Sequence, residues 1–203
     1  LLGSILINIL IVYFFKSYSV LSNLIIISSL FLIISSIIDA LKSLKVNNRN
    51  FSRIISHAAF GFLILFIGLN HNFSTEKDFN LKLGEVIKLQ NFEIKFQNLK
   101  LKEEKNYKTI VGEFIIDDLK KETKQILKPE IRIYENPSTL TYEASIRSGL
   151  LEDYYITMSN IDRSDYYNIK FQKKPFMIWI WISTLLISLG GFLRLFKNEK
   201  KIY

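Results

Sequence analysis

Between Val20 and Ala40 only Asp39 is charged, in a run built mainly from Ile, Leu and Ser. A helix rising about 1.5 Å per residue needs roughly 17 to 25 mostly apolar residues to cross a bilayer, so this run reads as a membrane span. Three more runs approach that length. Leu1 to Phe15 is short, Phe51 to Leu69 is interrupted only by Arg53 and His57, and Pro175 to Phe196 ends on Arg194 and Phe196. Pro175 suits a first helical turn, and Trp179 and Trp181 lie near one end of the last run, as interfacial aromatics do. The expected fold class is an integral membrane α-helical protein with four transmembrane helices in this segment, at about 1–15, 20–40, 51–69 and 175–196. The chain opens on leucine inside an apolar run without a charged leader, so the expectation is that an N-terminal portion precedes it.

The formal net charge of +8 invites a nucleic-acid reading, but the distribution of charge argues against one. Residues 70–174 hold 18 Lys or Arg against 17 Asp or Glu, which leaves that stretch nearly neutral. The excess lies in a short loop, 41–53, and in the tail 197–203 with Arg194 just before it. Basic segments beside membrane spans mark the cytoplasmic side. With loop and tail both cytoplasmic, residues 70–174 fall outside the cytoplasm, in the periplasm if the source is bacterial, the bacterial inner membrane being the expected setting and a mitochondrial inner membrane the less favoured one. No nucleic-acid partner is expected; membrane lipid is. The chain has no cysteine, hence no disulfide, thiolate metal site or covalent haem attachment of its own.

Within 70–174 the hydrophobic period changes to two, most clearly at Phe92-Glu93-Ile94-Lys95-Phe96-Gln97. Further strands are expected at Leu81–Leu89, with Gly84 in a turn or bulge, and at 110–116, 131–134, 154–158 and 166–171. Polar, turn-prone stretches at 102–108, 117–124, 135–138 and 159–165 separate them. The spacing predicts an inserted all-β exoplasmic domain, a small sandwich or barrel.

His57 is the residue most apt for chemistry, because an imidazole about one turn inside a membrane helix costs free energy unless it pairs, ligates or meets a polar cavity. Ser56, Ala58, Ala59 and Gly61 beside it are small enough to admit a partner helix or a flat macrocycle. An axial haem ligand is one reading. A histidine bonded to a neighbouring helix, or wetted at the cytoplasmic edge, is the other. His71 lies 14 residues on, about 21 Å along a straight helix, too far to share a metal ion and better read as interfacial. Glu143 is a candidate buried acid for which a surface role is the simpler reading. Ser188-Leu189-Gly190-Gly191 suggests close helix packing.

Taken in order, several segments resemble the C-terminal region of the CcmF/NrfE-type cytochrome c haem lyases. They are Ser56-His57-Ala58-Ala59-Phe60-Gly61, then Leu83-Gly84-Glu85 leading into the first strand, then Lys128 to Tyr134. Thr141 to Ile146, Gly149 to Tyr155, Lys174 to Trp181 and Leu189-Gly190-Gly191 complete the set. The resemblance implies a subunit of the machinery that attaches haem to apocytochrome c, with haem as substrate. It also implies a separate haem b in the membrane, with His57 as one axial ligand of the haem iron and the second ligand upstream. Expected partners are a haem chaperone, apocytochrome c, thiol-reductant or lyase subunits, and a quinol as electron source. The family's tryptophan-rich haem-presenting segment lies upstream, so this segment alone is expected to be inactive, and no catalytic residue is assigned to it. The alternative from another class is a non-enzymatic membrane sensor or assembly protein whose β-domain binds a ligand or protein, with His57 incidental. A transporter is disfavoured by the lack of paired ionisable residues within the spans.

Overall fold

The computed structural model describes residues 2, 3, 5, 6, 9, 13, 20–45, 51–89, 91–161 and 164–195. It divides into two compact units, Leu1–Phe73 with Pro175–Tyr203, and Ser74–Lys174.

The first unit contains helices α1 (Val20–Lys45), α2 (Phe51–Phe73) and α3 (Met177–Leu195). Among the described residues, these three are long and apolar enough to cross a membrane. The expected fourth span, Leu1 to Phe15, lies largely outside the described residues, as does the tail 197–203; three of the four expected spans are found among the described residues. Two helices also overrun the apolar runs that predict them. α1 continues through Lys45 and α2 through Phe73, because backbone hydrogen bonding does not stop where side chains become polar.

Small residues set the contacts between these helices. Ser22, Ile26, Ser29, Ile33 and Ser36 are the buried positions of α1, and their spacing of four, three, four and three makes one straight seam. The seam serines do not waste their hydroxyls: Ser29 Oγ donates to Ile26 O at 2.8 Å and Ser36 Oγ to Leu32 O at 2.8 Å, while Ser22 Oγ donates to Asn72 Oδ1 on α2 at 2.6 Å. Opposite the seam, a Cβ added at Gly61 would sit 2.8 Å from Ile33 Cγ1, and one at Gly68 2.8 Å from Ile25 Cγ2. On another face of α2, Ser52 Oγ donates to Gly190 O of α3 at 2.6 Å.

Helix α3 does not begin as its sequence predicts. Pro175 is the last residue of a strand rather than part of the first helical turn. The chain turns at Phe176, which adopts φ +60°, and whose carbonyl accepts the first helical bonds, from Trp179 N at 3.1 Å and Ile180 N at 3.3 Å. A left-handed conformation costs a residue with a side chain about 1–2 kcal/mol. Asn70 Nδ2 offsets it by donating to Pro175 O at 2.5 Å, and Phe66 by packing on Phe176 and Trp179, with ring centroids 5.8 and 5.7 Å away.

The second unit is a β-sandwich. One sheet runs β1 (Thr75–Leu81), β10 (Tyr167–Pro175), β9 (Glu152–Asn160), β8 (Ser145–Arg147). The other runs β2 (Val86–Leu89), β3 (Phe92–Glu103), β4 (Tyr107–Asp118), β6 (Glu130–Glu135), β7 (Ser138–Glu143), with β5 (Thr123–Leu127) also paired to β4. The strand expected at Leu81–Leu89 is two strands in different sheets. Residues 82–85 carry the chain between the sheets, with Gly84 at φ +89° and its amide donating to Phe96 O at 2.8 Å; only glycine takes that φ without strain. Leu83-Gly84-Glu85 therefore leads into the second strand, not the first.

Alternation along β3, β4, β9 and β10 sends Phe96, Phe114, Ile156, Met158 and Phe171 between the sheets. Phe96 and Phe114 stack at 4.4 Å, and Phe92 meets Phe171 edge-on at 5.3 Å. Gly112 leaves room for Met158, whose Sδ would lie 2.7 Å from a Cβ there.

The helix contacts make a prediction. A Cβ at Gly190 would fall 2.2 Å from Ser56 Oγ, whereas one at Gly191 meets nothing within 4 Å. Gly190→Val should destabilise the α2–α3 pair by about 1–3 kcal/mol, and Gly191→Val by much less. Reversible unfolding of the two variants in the same detergent micelles checks the difference; equal effects would remove the close contact at Gly190.

Candidate functional site

Helix α2 uses its faces unequally. Ser52 and Ser56 lie against Gly190 of α3, and Gly61 and Gly68 lie against α1. The remaining stripe, Arg53, His57, Phe60, Ile67 and His71, is exposed. His57 therefore sits on the face that α1 and α3 leave uncovered, and it makes no polar contact among the described residues. His71 is on the same stripe, about 21 Å further along by helical rise, so the two cannot meet at one ion. Among the described residues no group of three or more His, Cys, Asp or Glu is placed to hold a metal ion.

Of the two readings of the small residues around His57, a partner helix and a flat macrocycle, the contacts of the described residues are with partner helices. Ala59 and Gly61 are buried, Gly61 against Ile33, and Ser56 is what a Cβ at Gly190 would strike. They seat α2 between its neighbours. Beside His57 on the open stripe stand Phe60, one turn on, and Arg53, one turn back, the latter 3.4 Å from Asp39 of α1. An imidazole on an open helix face, next to a planar apolar ring, is a donor that fits a haem.

The sandwich contains a polar knot that sequence reasoning missed. Asp118, at the end of β4, is buried, and its Oδ1 accepts from Lys120 N at 3.0 Å and Lys121 N at 3.2 Å. Tyr154 of β9 donates to Asp118 Oδ2 at 3.1 Å and also contacts Glu152. Glu152 binds Lys121 and, at 2.8 Å, Lys173 of β10. Burial opposes ionisation of Glu152, but the hydrogen bonds from Lys121, Lys173 and Tyr154 outweigh it and hold the carboxyl at about 2. Burial, with Glu152 and Asp118 alongside, pushes the Tyr154 hydroxyl well above its ordinary value, so Tyr154 stays protonated and acts as a donor. A signal for this knot exists: Asp118 continues the buried parity of Phe114 and Ile116, and Glu152 that of Tyr154, Ile156 and Met158. Nothing local says that the two strands meet.

Glu143 is not a buried acid. It is half-exposed and accepts from Thr141 Oγ1 at 3.2 Å on an outer strand, with Arg132 3.7 Å away, a surface ladder of modest worth.

With the sandwich in view, the comparison with known proteins is decisive. The model of the CcmF C-terminal β-sandwich family matches residues 72–175, about half of the chain. The chain belongs to this family. The cytochrome c-type biogenesis protein CcmF of Haemophilus influenzae is 28% identical over 156 residues, covering 76% of this chain and 24% of that protein. The CcmF of Pseudomonas fluorescens is 30% identical over 139 residues, covering 68% of this chain and 21% of its own length. The chain thus spans about a quarter of the length of the curated relatives it matches. A solved structure titled cytochrome c haem lyase CcmF superposes with a TM-score of 0.73 at 15% identity, covering 95% of this chain and 32% of that one. At that identity the likeness is one of fold.

Membership of the CcmF family leaves the knot to be tested by its chemistry. A carboxyl whose folded value is depressed adds stability that is fully present above its ordinary value of 4.5 and is lost as pH falls towards about 2. Stability should therefore fall across that window more steeply in the wild type than in Glu152→Gln. Denaturant unfolding of the sandwich followed by tyrosine fluorescence between pH 6 and about 2 measures it. Parallel curves would deny Glu152 its ionised pairing.

Proposed function

We propose that this chain is the C-terminal part of a haem lyase of cytochrome c biogenesis, carrying the last membrane spans and a periplasmic β-sandwich in a bacterial inner membrane. We propose further that His57 is one axial ligand of a membrane-buried haem b. The observation that carries the reading is His57 itself, an imidazole without a polar partner among the described residues, on a face of α2 that α1 and α3 leave uncovered. The family membership and the curated names of its relatives support the wider role.

Each residue has a definable part. Either ring nitrogen of His57 can offer its lone pair to iron when neutral. Ser52 and Ser56, held against Gly190, and Gly61, held against Ile33, fix the rotation of α2 and so aim the imidazole away from both helices. Phe60 keeps water from the same face. Haem bound there would supply one-electron chemistry, with a quinol as the source of electrons. The β-sandwich would serve as the interaction domain for the haem chaperone, apocytochrome c or the thiol-reductant subunit. Attachment itself needs groups from the rest of the protein.

Detergent-purified full-length protein should show sharp α and β bands on dithionite reduction. They should be lost or strongly weakened in His57→Ala and partly restored by added imidazole. Equal haem content and unchanged spectra in the variant would remove His57 from the site.

A further inference from the structure

The open stripe of α2 holds a cation as well as an imidazole. His57 is the seventh residue of a 23-residue helix, so it lies much nearer the start of α2 than its end. Arg53 stands one turn back on the same stripe, about 6 Å along the axis by helical rise, and like His57 it is exposed. It belongs to the first turn of the helix, which contains no acidic residue. The free amides and the positive end of the helix dipole therefore add to its charge there.

Arg53 is only partly engaged by its neighbours. Its Nη2 donates to Asp39 Oδ2 of α1 at 3.4 Å, a long bond between side chains 57% and 50% exposed, and such a pair is of small worth. A guanidinium has five donors in a planar fork, and Nε and Nη1 of Arg53 have no partner among the described residues. Lys42, three residues beyond Asp39 on α1, is exposed as well, so Asp39, Lys42 and Arg53 together keep a net positive charge. A fork with donors to spare suits a second carboxylate, bound through charge-assisted hydrogen bonds.

The order of groups along the stripe says whose carboxylate. Protohaem carries its propionates on one edge and only methyl and vinyl groups on the opposite one. Ionised carboxylates avoid the bilayer interior, so with iron on His57 the propionate edge belongs at the nearer end of α2, where Arg53 is. Phe60, one turn to the other side of His57 and 49% exposed, is left for the apolar edge.

We propose that Arg53 is a haem-binding residue that receives a propionate, so that Arg53, His57 and Phe60 match in sequence the carboxylate edge, the iron and the apolar edge of one macrocycle. The proposal rests on the reading of His57 given above.

The test uses the full-length protein, purified haem-free in detergent and titrated with protohaem or with its dimethyl ester, in which the propionates carry no charge. Wild type should bind protohaem at least about fivefold more tightly than the ester. Arg53→Gln should erase that preference and lower the haem midpoint potential, because a cation beside the macrocycle favours the ferrous form; Arg53→Lys should keep part of both. Asp39→Asn, which releases the guanidinium, should preserve the preference. Wild type that binds the two haems equally overturns the proposal, as does an unchanged ratio in Arg53→Gln; in either case reduced bands that still depend on His57 leave the His57 reading standing. Wild type that takes up neither haem overturns that reading and this proposal together.

Discussion

The helical unit depends on close approach at glycine and serine. In a bilayer, lipid tails compete with side chains as apolar neighbours, so helices associate through packing and through polar groups that have no water to turn to. Helix α2 meets both demands at once. Gly61 and Gly68 admit isoleucines of α1, and Ser52 binds the carbonyl of Gly190 on α3. Once those contacts are made α2 cannot rotate, and α1 and α3 leave the stripe carrying His57 and Phe60 open. The candidate ligand is positioned by what its helix does elsewhere.

In the sandwich the comparable constraint is electrostatic. A buried carboxylate is costly unless its oxygens are satisfied. Asp118, Glu152 and Asp153 meet that condition with backbone amides, a tyrosine hydroxyl and two lysines, and in doing so order the loops at one end of the domain. Tyr154 joins the two systems. Its ring packs with Phe92 and Phe171, at 5.9 and 6.2 Å between centroids, while its hydroxyl reaches the carboxylates. The apolar core thereby sets the geometry of the polar knot.

Much of this was legible residue by residue. The alternation around Phe92–Gln97 is a strand with Phe92, Ile94 and Phe96 inward, and the expected turns fall between strands. The strands that were missed, β1, β5, β7 and β8, are short or carry polar residues on both faces, such as Thr75 to Asn80 and Ser138 to Glu143. Their pairing comes from neighbouring strands rather than from their own pattern. The break at Gly84 could be suspected from the glycine, but that the chain changes sheets there could not.

By itself the sequence determined the segregation of apolar and charged residues, and hence helices of membrane-crossing length around a nearly neutral β-rich insert; that information is local, carried by composition and period. It also marked His57, because an imidazole in an apolar run is costly wherever it stands. Only the tertiary structure decided that Ser56, Ala59 and Gly61 serve helix packing rather than the face of His57. It alone brought Asp118 to Tyr154, 36 residues apart, and Lys121 to Glu152. Those are relations between elements, fixed when surfaces interlock and buried polar groups find partners, and no stretch of sequence read singly contains them.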